Sequence, residues 1–301
     1  MALFKIQIKI KSPLATPLKG DTIWGHVAWG IANHKGDDAV QDFIADCKQN
    51  AAFVISSAFP KGMVCKKIPE VPERLENLSE EDYAKIKQAK KIKYESASLY
   101  FAGGAGKKSG SESDGNDESE VNPFKQNVVT HNTISRLSNT VLESGLYSAS
   151  ELWADEKNAC FDLYIRSLYD AKKVTELCAW AFENGFGADS SVGKGQIEIA
   201  GEALEIVPKM SGNKYMALSP FVVFDMSQIK NLRADIFVRS GKIGGAFVSS
   251  LAPWKKTVVL YDEGAVFESD KKIEWIGQLL ENVHSDPRIV QSAFAPVIPI
   301  E

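Results

Sequence analysis

The stretch GFGADSSVGKG, at residues 185–195, is the most informative segment of this sequence. It contains four glycines in eleven residues and lies between a predicted helix that ends near Asn184 and a predicted strand that begins near Gln196. Glycine allows positive φ and close approach of the backbone, and consecutive N–H groups in such a loop can form a concave anion site. A dinucleotide fingerprint is disfavoured, because that motif leads from strand to helix. The segment is therefore either a phosphate-binding loop or an ordinary glycine-bearing turn.

Hydrophobic periodicity around this loop predicts alternating strands and helices. CFDLYIRSL (160–168) and QIEIAGEALEIVP (196–208) are typical of β structure, and TELCAWAFEN (175–184) is typical of a helix. The N-terminal residues Phe4 to Ile10 alternate with period two, and the segment 21–31 has apolar residues at helical spacing. Because strand and helix follow in the same order in both halves, we predict two similar α+β units.

The middle of the chain differs from both halves. Residues 103–120 contain no apolar side chain larger than alanine and hold five carboxylates against two lysines, which predicts a flexible acidic insertion. The following polar segment, through Trp153, suits an exposed arm or irregular β-hairpin. The chain has a net charge of −4, so it is not expected to coat nucleic acid without specificity. This net charge is still compatible with local basic surfaces.

Cysteine usage and the N-terminus bear on compartment and cofactors. The four cysteines form no CxxC pair, which indicates neither a disulfide framework nor a zinc site. The N-terminus lacks both a signal-peptide core and the ~20 apolar residues of a membrane span. We therefore expect a cytoplasmic protein with no membrane association, no metal and no cofactor.

Several segments together carry a family resemblance. The loop at 185–195 resembles the glycine-rich signature of the RAMP superfamily of CRISPR RNA-binding proteins, whose members have ferredoxin-like, RRM-related folds. In the order of its segments and in its length, the chain is similar to the family of fourth subunits of the type III-A (Csm) effector complex. The matching segments are SPLATPLKGDTIWGHVAWGI (12–31), NPFKQNVVTHNTISRL (122–137), GLYSASELW (145–153), RSGKIGGAF (239–247) and FAPVIPI (294–300).

This resemblance implies a fold and a division of the chain. The expected fold class is α+β, with two ferredoxin-like (RRM-related) units, a glycine-rich loop and an inserted arm. The expected boundaries are an N-terminal unit at 1–101, the acidic insertion at 102–121, the arm at 122–155 and a C-terminal unit with the glycine loop at 156–301.

The resemblance also implies a function in antiviral defence. It predicts a non-catalytic subunit of a type III-A CRISPR interference ribonucleoprotein that caps the 5′ handle of CRISPR RNA. The expected partners are that RNA, the large polymerase-like subunit and the backbone RAMP subunit. Single-stranded RNA is recognised by stacking on aromatic or arginine planes while amides and lysines bind phosphates. The predicted RNA-binding residues are Lys19, Thr22, Asn127, Thr130, His131, Asn132, Thr133, Ser135, Arg136, Gly185, Gly187, Ser190, Ser191, Gly193, Lys194, Gly195, Arg239, Lys242, Gly244 and Gly245.

Two other functions stay open at the level of sequence. Some RAMP relatives cut precursor CRISPR RNA without metal, using a histidine as general base. Here only His131, with Arg136 and Lys125 as companions in the arm, suits that role, whereas His26 is expected to be a packed or hydrogen-bonded structural residue. A protein-only scaffold would place residues such as Trp254 in an interface or core, but it leaves the glycine loop and the polar arm without a role.

Overall fold

The computed structural model describes residues 1–69, 87, 92–102, 122–155, 159–244 and 252–301. Its α-helices are α1 (Gly20–Lys35), α2 (Asp37–Asn50) and α3 (Ala171–Phe182). Its strands are β1 (Ala2–Ile10), β2 (Phe53–Ile55), β3 (Phe59–Pro60), β4 (Met63–Cys65), β5 (Tyr94–Ser96), β6 (Phe101–Ala102), β7 (Phe124–Ile134), β8 (Val141–Ala154), β9 (Cys160–Ser167), β10 (Ile197–Ile199), β11 (Leu204–Glu205), β12 (Val207–Pro208), β13 (Lys214–Ala217), β14 (Lys230–Arg233), β15 (Ile236–Arg239), β16 (Val258–Tyr261), β17 (Val266–Glu268), β18 (Trp275–Leu280) and β19 (Gln291–Ile300).

The first large sheet is built around β1. Its strand order is β10-β1-β9-β2, and β11 and β3 add to β1 and β9. All these pairs are antiparallel, and Ile8 lies opposite both Phe161 and Ile199. The alternating apolar residues of β1 share one core with Val27 of α1 and Leu177 of α3. The three helices thus cover one face of this sheet.

The second large sheet has the order β14-β17-β13-β19-β18. Its central strands β13 and β19 are joined in the register Met216 to Ile298. One face of this sheet packs on the first sheet, because Met216 and Ile298 belong to the same buried cluster as Leu3 and Tyr164. The opposite face has a separate core around Phe221.

The hairpin of β7 and β8 projects from the molecule as an arm. In the sequence it lies between β3 and β9, which both belong to the first sheet. The two strands pair over nearly their whole length, with Asn127 opposite Glu151 and His131 opposite Tyr147. Most side chains beyond its base are exposed. The arm therefore has the hairpin form that the sequence predicts for residues 122–155.

The mixed α/β class is confirmed, but the sheets cut across the predicted unit boundary. β9, α3 and β10 were expected in a C-terminal unit starting at 156, and in the structure β9 and β10 flank β1 on both sides. In 206–244 and 252–301 the structure describes a 3-10 turn at Met226–Gln228 and no α-helix. The acidic insertion predicted at 102–121 lies, apart from Ala102, outside the described residues. Within the described ranges, no helix is both long enough and apolar enough to cross a membrane.

Candidate RNA interface

The glycine loop follows α3 and has the backbone conformations that its glycines predict. Gly185, Gly187, Gly193 and Gly195 have φ values of 78°, 76°, 93° and 68°. A Cβ atom on Gly195 would collide with the backbone of Phe186, whereas one on Gly193 would meet nothing within 4 Å. Gly195 is thus required by close packing, and Gly193 by φ alone.

Several amides of the loop are already bonded within the chain. Gly187 donates to His26 Nε2 at 3.1 Å, Ala188 donates to Thr16 Oγ1 at 3.0 Å, and Gly195 donates to the Pro13 carbonyl at 2.8 Å. These bonds fasten the loop to α1 and to the segment that follows β1. The exposed rim of the loop, which contains Ser191 and Gly193, is the part that faces solvent.

Lys194 lies inside the loop's contact with the arm. Its ammonium is 3.0 Å from Glu151 Oε1 and 2.8 Å from Asp189 Oδ2, and the residue is only 9% exposed. Hydrogen bonds to Asp189 and Glu151 raise the pKa of Lys194, and the bond from Lys194 lowers the pKa of Glu151. Trp153 Nε1 also donates to Glu151, at 3.0 Å. Lys194 therefore joins the loop to the base of the arm.

The arm presents most of its predicted RNA contacts to solvent. Its base is held by reciprocal backbone bonds of 2.9 Å between Leu14 and Leu152. Ser135 is occupied at the tip, where its hydroxyl accepts from the amides of Leu137 and Ser138 at 3.3 Å. Among the predicted RNA contacts of the arm, the exposed residues are Asn127, Thr130, Asn132, Thr133 and Arg136.

His131 is half-buried on one face of the arm. Its ring stacks on Tyr147, with centroids 5.3 Å apart, and its Nε2 has no hydrogen-bond partner among the described residues. Lys125 lies six residues earlier on the same extended strand, a separation of ~20 Å. Lys125 is therefore not a neighbour of His131, although the sequence predicts that it is, because the extended strand separates the two side chains.

A second group of predicted residues meets at the N-terminus of α1. Lys19 Nζ is 2.7 Å from Asp262 and 2.5 Å from Glu263. Arg239 forms two bonds of 2.7 and 2.8 Å to the buried carboxylate of Asp21, next to Thr22. Both cations also lie over the Phe237 ring, at 4.9 and 4.7 Å. These cations are paired with carboxylates inside the chain.

Burial changes the proton affinity of this second group. Desolvation lowers the pKa of Lys19, but Glu263 and Asp262 outweigh it, so the net direction is upward. Burial raises the pKa of Glu263 to about 7, against the opposing effect of Lys19. The hydroxyl of Ser57 donates to Glu263 at 3.0 Å. The group therefore contains a carboxyl that titrates near neutral pH.

The remaining predicted residues lie close to two tryptophans. Lys242 Nζ is 4.6 Å from the ring of Trp254, which is 57% exposed. Gly244 packs against Trp29, whose indole nitrogen would be 2.6 Å from a Cβ at that position. Gly245 lies outside the described residues. The structure thus joins the loop to the arm, and it brings Lys19 and Arg239 together over the Phe237 ring.

No family model matches the chain, and no curated protein matches it. A chain in the crystal structure of a Csm1-Csm4 cassette with pppApA superposes with a TM-score of 0.58 at 16% identity, covering 99% of this chain and 98% of that chain. A Csm1-Csm4 cassette with cA4 gives 0.58 at 18% identity and the same coverage, and a Csm3-Csm4 subcomplex of the type III-A interference complex gives 0.54 at 13% identity, covering 100% of both chains.

The chain has the fold of Csm4. The match runs the full length of the sequence, including both sheets, so the resemblance expected from the sequence is confirmed as a likeness of fold. At these identities the likeness shows the fold alone, and the chemistry of the site depends on this chain's own residues.

Sequence reasoning missed several residues that organise the site on the Csm4 fold. Thr16 and Glu151 bind the glycine loop, and Tyr147 stacks on His131. Their partners are distant in sequence. Pairing of β7 with β8 brings Tyr147 to His131, and tertiary contacts of the loop bring Thr16 and Glu151 to their partners. His26 was expected to be a hydrogen-bonded structural residue, and its bond from Gly187 confirms this. Among the described residues, no group of His, Cys, Asp and Glu side chains is arranged to hold a metal.

Proposed function

We propose that this chain is a subunit of a type III CRISPR effector complex and that it binds CRISPR RNA at the 5′ handle. The observation that carries the proposal is the full-length match to the chains crystallised with Csm1 and with Csm3. By the same match, the proposed protein partners are the large polymerase-like subunit and the backbone RAMP subunit of the complex. The proposed compartment is the cytoplasm, where such RNA is available.

The proposed RNA surface is the exposed side of the arm together with the rim of the glycine loop. The amides of Asn127 and Asn132 and the guanidinium of Arg136 supply donors for bases and phosphates. On the loop, Ser190 and Ser191 supply hydroxyls beside the exposed Gly193. These groups lie on two elements that the Lys194–Glu151 ion pair joins, so a single strand of RNA can follow both.

The other predicted residues are assigned supporting roles or weaker contacts. Lys194, Gly185, Gly187 and Gly195 shape the loop. Thr130, His131 and Thr133 extend the arm's surface, and Ser135 shapes its tip. Lys19, Thr22 and Arg239 build the α1 end, and Lys242 beside Trp254 and Gly244 beside Trp29 form a separate candidate contact. Gly245, outside the described residues, stays a proposed RNA contact.

The first sheet supports the finer fold assignment. Read along the chain, β1, α1 with α2, β2, β9, α3 and β10 give a βαββαβ order, and their spatial order places the fourth strand beside the first. We propose that residues 1–205 form one ferredoxin-like unit, with the arm inserted between its second and third strands. The glycine loop then connects the last helix and last strand of that RRM-related unit.

We propose that the chain is not itself a nuclease. A metal-independent RNA cleavage needs a base and a group that stabilises developing charge within hydrogen-bond reach of each other. His131 stacks on Tyr147, and Lys125 is far along the strand. The test is to incubate the chain with labelled precursor repeat RNA in chelator, where discrete cleavage would contradict the proposal.

The central test is copurification with the neighbouring subunits, followed by extraction of RNA and mapping of its 5′ ends. The site variant combines Asn127→Ala, Asn132→Ala and Arg136→Ala, all at exposed positions. The control variant combines Lys48→Ala and Glu281→Ala, which removes an exposed ion pair between α2 and the residue that follows β18. We expect a uniform repeat-derived 5′ end whose nuclease protection is lost only in the site variant.

Salt dependence separates RNA binding from a protein-only scaffold. RNA held through several phosphates loses affinity steeply as salt rises, whereas an apolar protein contact does not. A complex that contains no RNA, or one whose RNA is unaffected by the site variant, would contradict the RNA-binding proposal and favour the scaffold.

A further inference from the structure

His26 links three elements at the centre of the candidate site. It lies on α1, its ring contacts Phe186 with centroids 4.7 Å apart, and its Nε2 accepts the amide of Gly187 at 3.1 Å. Burial lowers its pKa to about 4, partly opposed by a hydrogen bond with the Ala181 backbone of α3. The ring is therefore neutral near pH 7, and because Gly187 is a donor, Nε2 is the unprotonated nitrogen.

The bond from Gly187 lies where the loop changes direction. Gly187 has φ of 76°, and a Cβ there would be 2.5 Å from the Thr16 Cβ. The next amide, of Ala188, is bonded to Thr16, and Asp189 after it binds Lys194. The turn at Gly187 therefore sets the direction in which Asp189 and Lys194 reach the arm.

We propose that His26 is a positioning residue that holds the glycine loop in its RNA-binding shape by accepting the Gly187 amide. The inference rests on the proposed RNA-binding function of the loop. It assigns to His26 no contact with RNA and no part in proton transfer. Its effect runs from α1 through Gly187 to Lys194 and from there to Glu151 of the arm.

A simple packing role makes a different prediction. If His26 only fills space against Phe186, phenylalanine at position 26 should preserve the loop, since phenylalanine keeps an aromatic ring in contact with Phe186. If the acceptor matters, glutamine is the conservative replacement, because its side-chain amide reaches as far as Nε2. Asparagine has the same chemistry but is one methylene shorter, so it is the matched control for reach.

The experiment compares the full-length chain with His26→Gln, His26→Asn and His26→Phe variants. Hydrogen exchange of the Gly187 amide is measured without RNA. Affinity is then measured for a labelled single-stranded RNA that has the repeat sequence of the source genome's CRISPR array. We expect glutamine to preserve both properties, and asparagine and phenylalanine to speed exchange and weaken RNA binding by about tenfold, the scale of one lost hydrogen bond.

The outcomes separate this inference from the proposed function. Unchanged Gly187 protection in His26→Phe would overturn the positioning role, whatever happens to RNA. Faster exchange with unchanged RNA affinity would overturn the link between loop shape and binding. Absence of RNA binding by the unmodified chain would overturn the proposed function, while the exchange data would still decide whether His26 holds the loop. If His26→Phe does not fold, the glutamine and asparagine pair gives the same comparison.

Discussion

Two glycines of the same loop differ in what a methyl group would meet. At Gly195 an added Cβ runs into the Phe186 backbone, and at Gly193 it points into open space, although both residues have positive φ. Positive φ disfavours any L-residue, but only a buried clash forces the surrounding backbone to move. The pair therefore separates the strain of conformation from the strain of packing.

We predict that Gly195→Ala lowers the free energy of unfolding by roughly 2–4 kcal/mol, because it adds overpacking to φ strain. Gly193→Ala should cost about 1 kcal/mol, from φ strain alone. Urea denaturation of the two variants measures the difference. Equal losses would show that the close approach of residues 195 and 186 is not required for stability.

Glu263 gives stability a pH dependence of defined sign. Its pKa of about 7 in the folded chain lies above the ordinary value of 4.5, so the folded state holds a proton that the unfolded state has lost within this window. The contribution of Glu263 to the free energy of unfolding is therefore fully present below pH ~4.5 and is lost as pH rises through ~7.

We predict that Glu263→Gln removes this decline. Between pH 5 and pH 8 the variant should gain on the order of 2 kcal/mol relative to the unmodified chain, measured by urea denaturation at each pH. Asp270→Asn, at an exposed ion pair with Lys230, is the control and should leave the slope unchanged. Parallel pH profiles for Glu263→Gln and the unmodified chain would contradict the raised pKa.

The predictability of individual residues depended on whether their role is local. The glycines of 185–195 are recognisable because positive φ is a property of the residue itself. The partners of Lys194, by contrast, follow from tertiary contact, and no local pattern marks Glu151 as buried. An exposed, phosphate-binding lysine and a buried, ion-paired one have the same appearance in sequence.

Among the elements, the arm is held at its base by apolar packing, in which Phe124 stacks on Phe161, and by a few polar contacts. It shares the Leu14–Leu152 bridge and the Lys194–Glu151 pair with the rest of the molecule. Glu151 is 5% exposed. Removing its cation leaves a carboxylate with little access to water, and an unpaired buried charge is costly.

We predict that Lys194→Met loosens the base of the arm and lowers the melting temperature, since methionine keeps the apolar stem but not the charge. Hydrogen exchange should rise at the paired ends of β7 and β8. Lys173→Met, which removes an exposed pair with Glu176 on α3, should change neither property. Unaltered exchange in the Lys194 variant would show that the base of the arm is held without this ion pair.

Helices α1 and α3 and strands β1 and β9 were predictable because their patterns are long, whereas β19, of 10 residues, was not predicted. The period-two residues of β1 and the helical spacing of α1 are both confirmed. The short strands of 206–244 and 252–301 were not specified, because segments of two to four residues carry too little periodicity. The arm was predictable as a hairpin because its polar composition excludes a core position.

At the level of the whole molecule, the two large sheets share a buried layer. Leu218 is fully buried in the cluster that contains Leu3 and Tyr164 of the first sheet. Neither sheet can lose this layer without exposing apolar surface of the other. The expectation is cooperative unfolding across both sheets.

We predict that Leu218→Ala lowers the free energy of unfolding by about 2–5 kcal/mol and reduces protection of β1 and β18 together. Leu204→Ala, at a residue 63% exposed, should change stability by less than about 0.5 kcal/mol. Hydrogen exchange at graded urea concentrations follows both sheets at once. Loss of protection in the second sheet alone would contradict a shared core.

The sequence supports the class of the fold but not the boundaries between its parts. Strand and helix recur in both halves, which suggested two sequential units, yet β9 and β10 pair with β1. Period and propensity identify an element without naming the strand that it pairs with, because pairing is decided by burial across the whole chain. The exchange of elements between halves was therefore beyond the reach of local patterns.

The position of β19 has a consequence for how the protein is made. This strand is translated after the other four of its sheet, but it lies between β13 and β18 and also contacts α1. A nascent chain on the ribosome therefore carries an open sheet edge until residue 300 has emerged, and open edges invite aggregation. We expect chaperones to shield these ribosome-bound intermediates until β19 has completed the sheet.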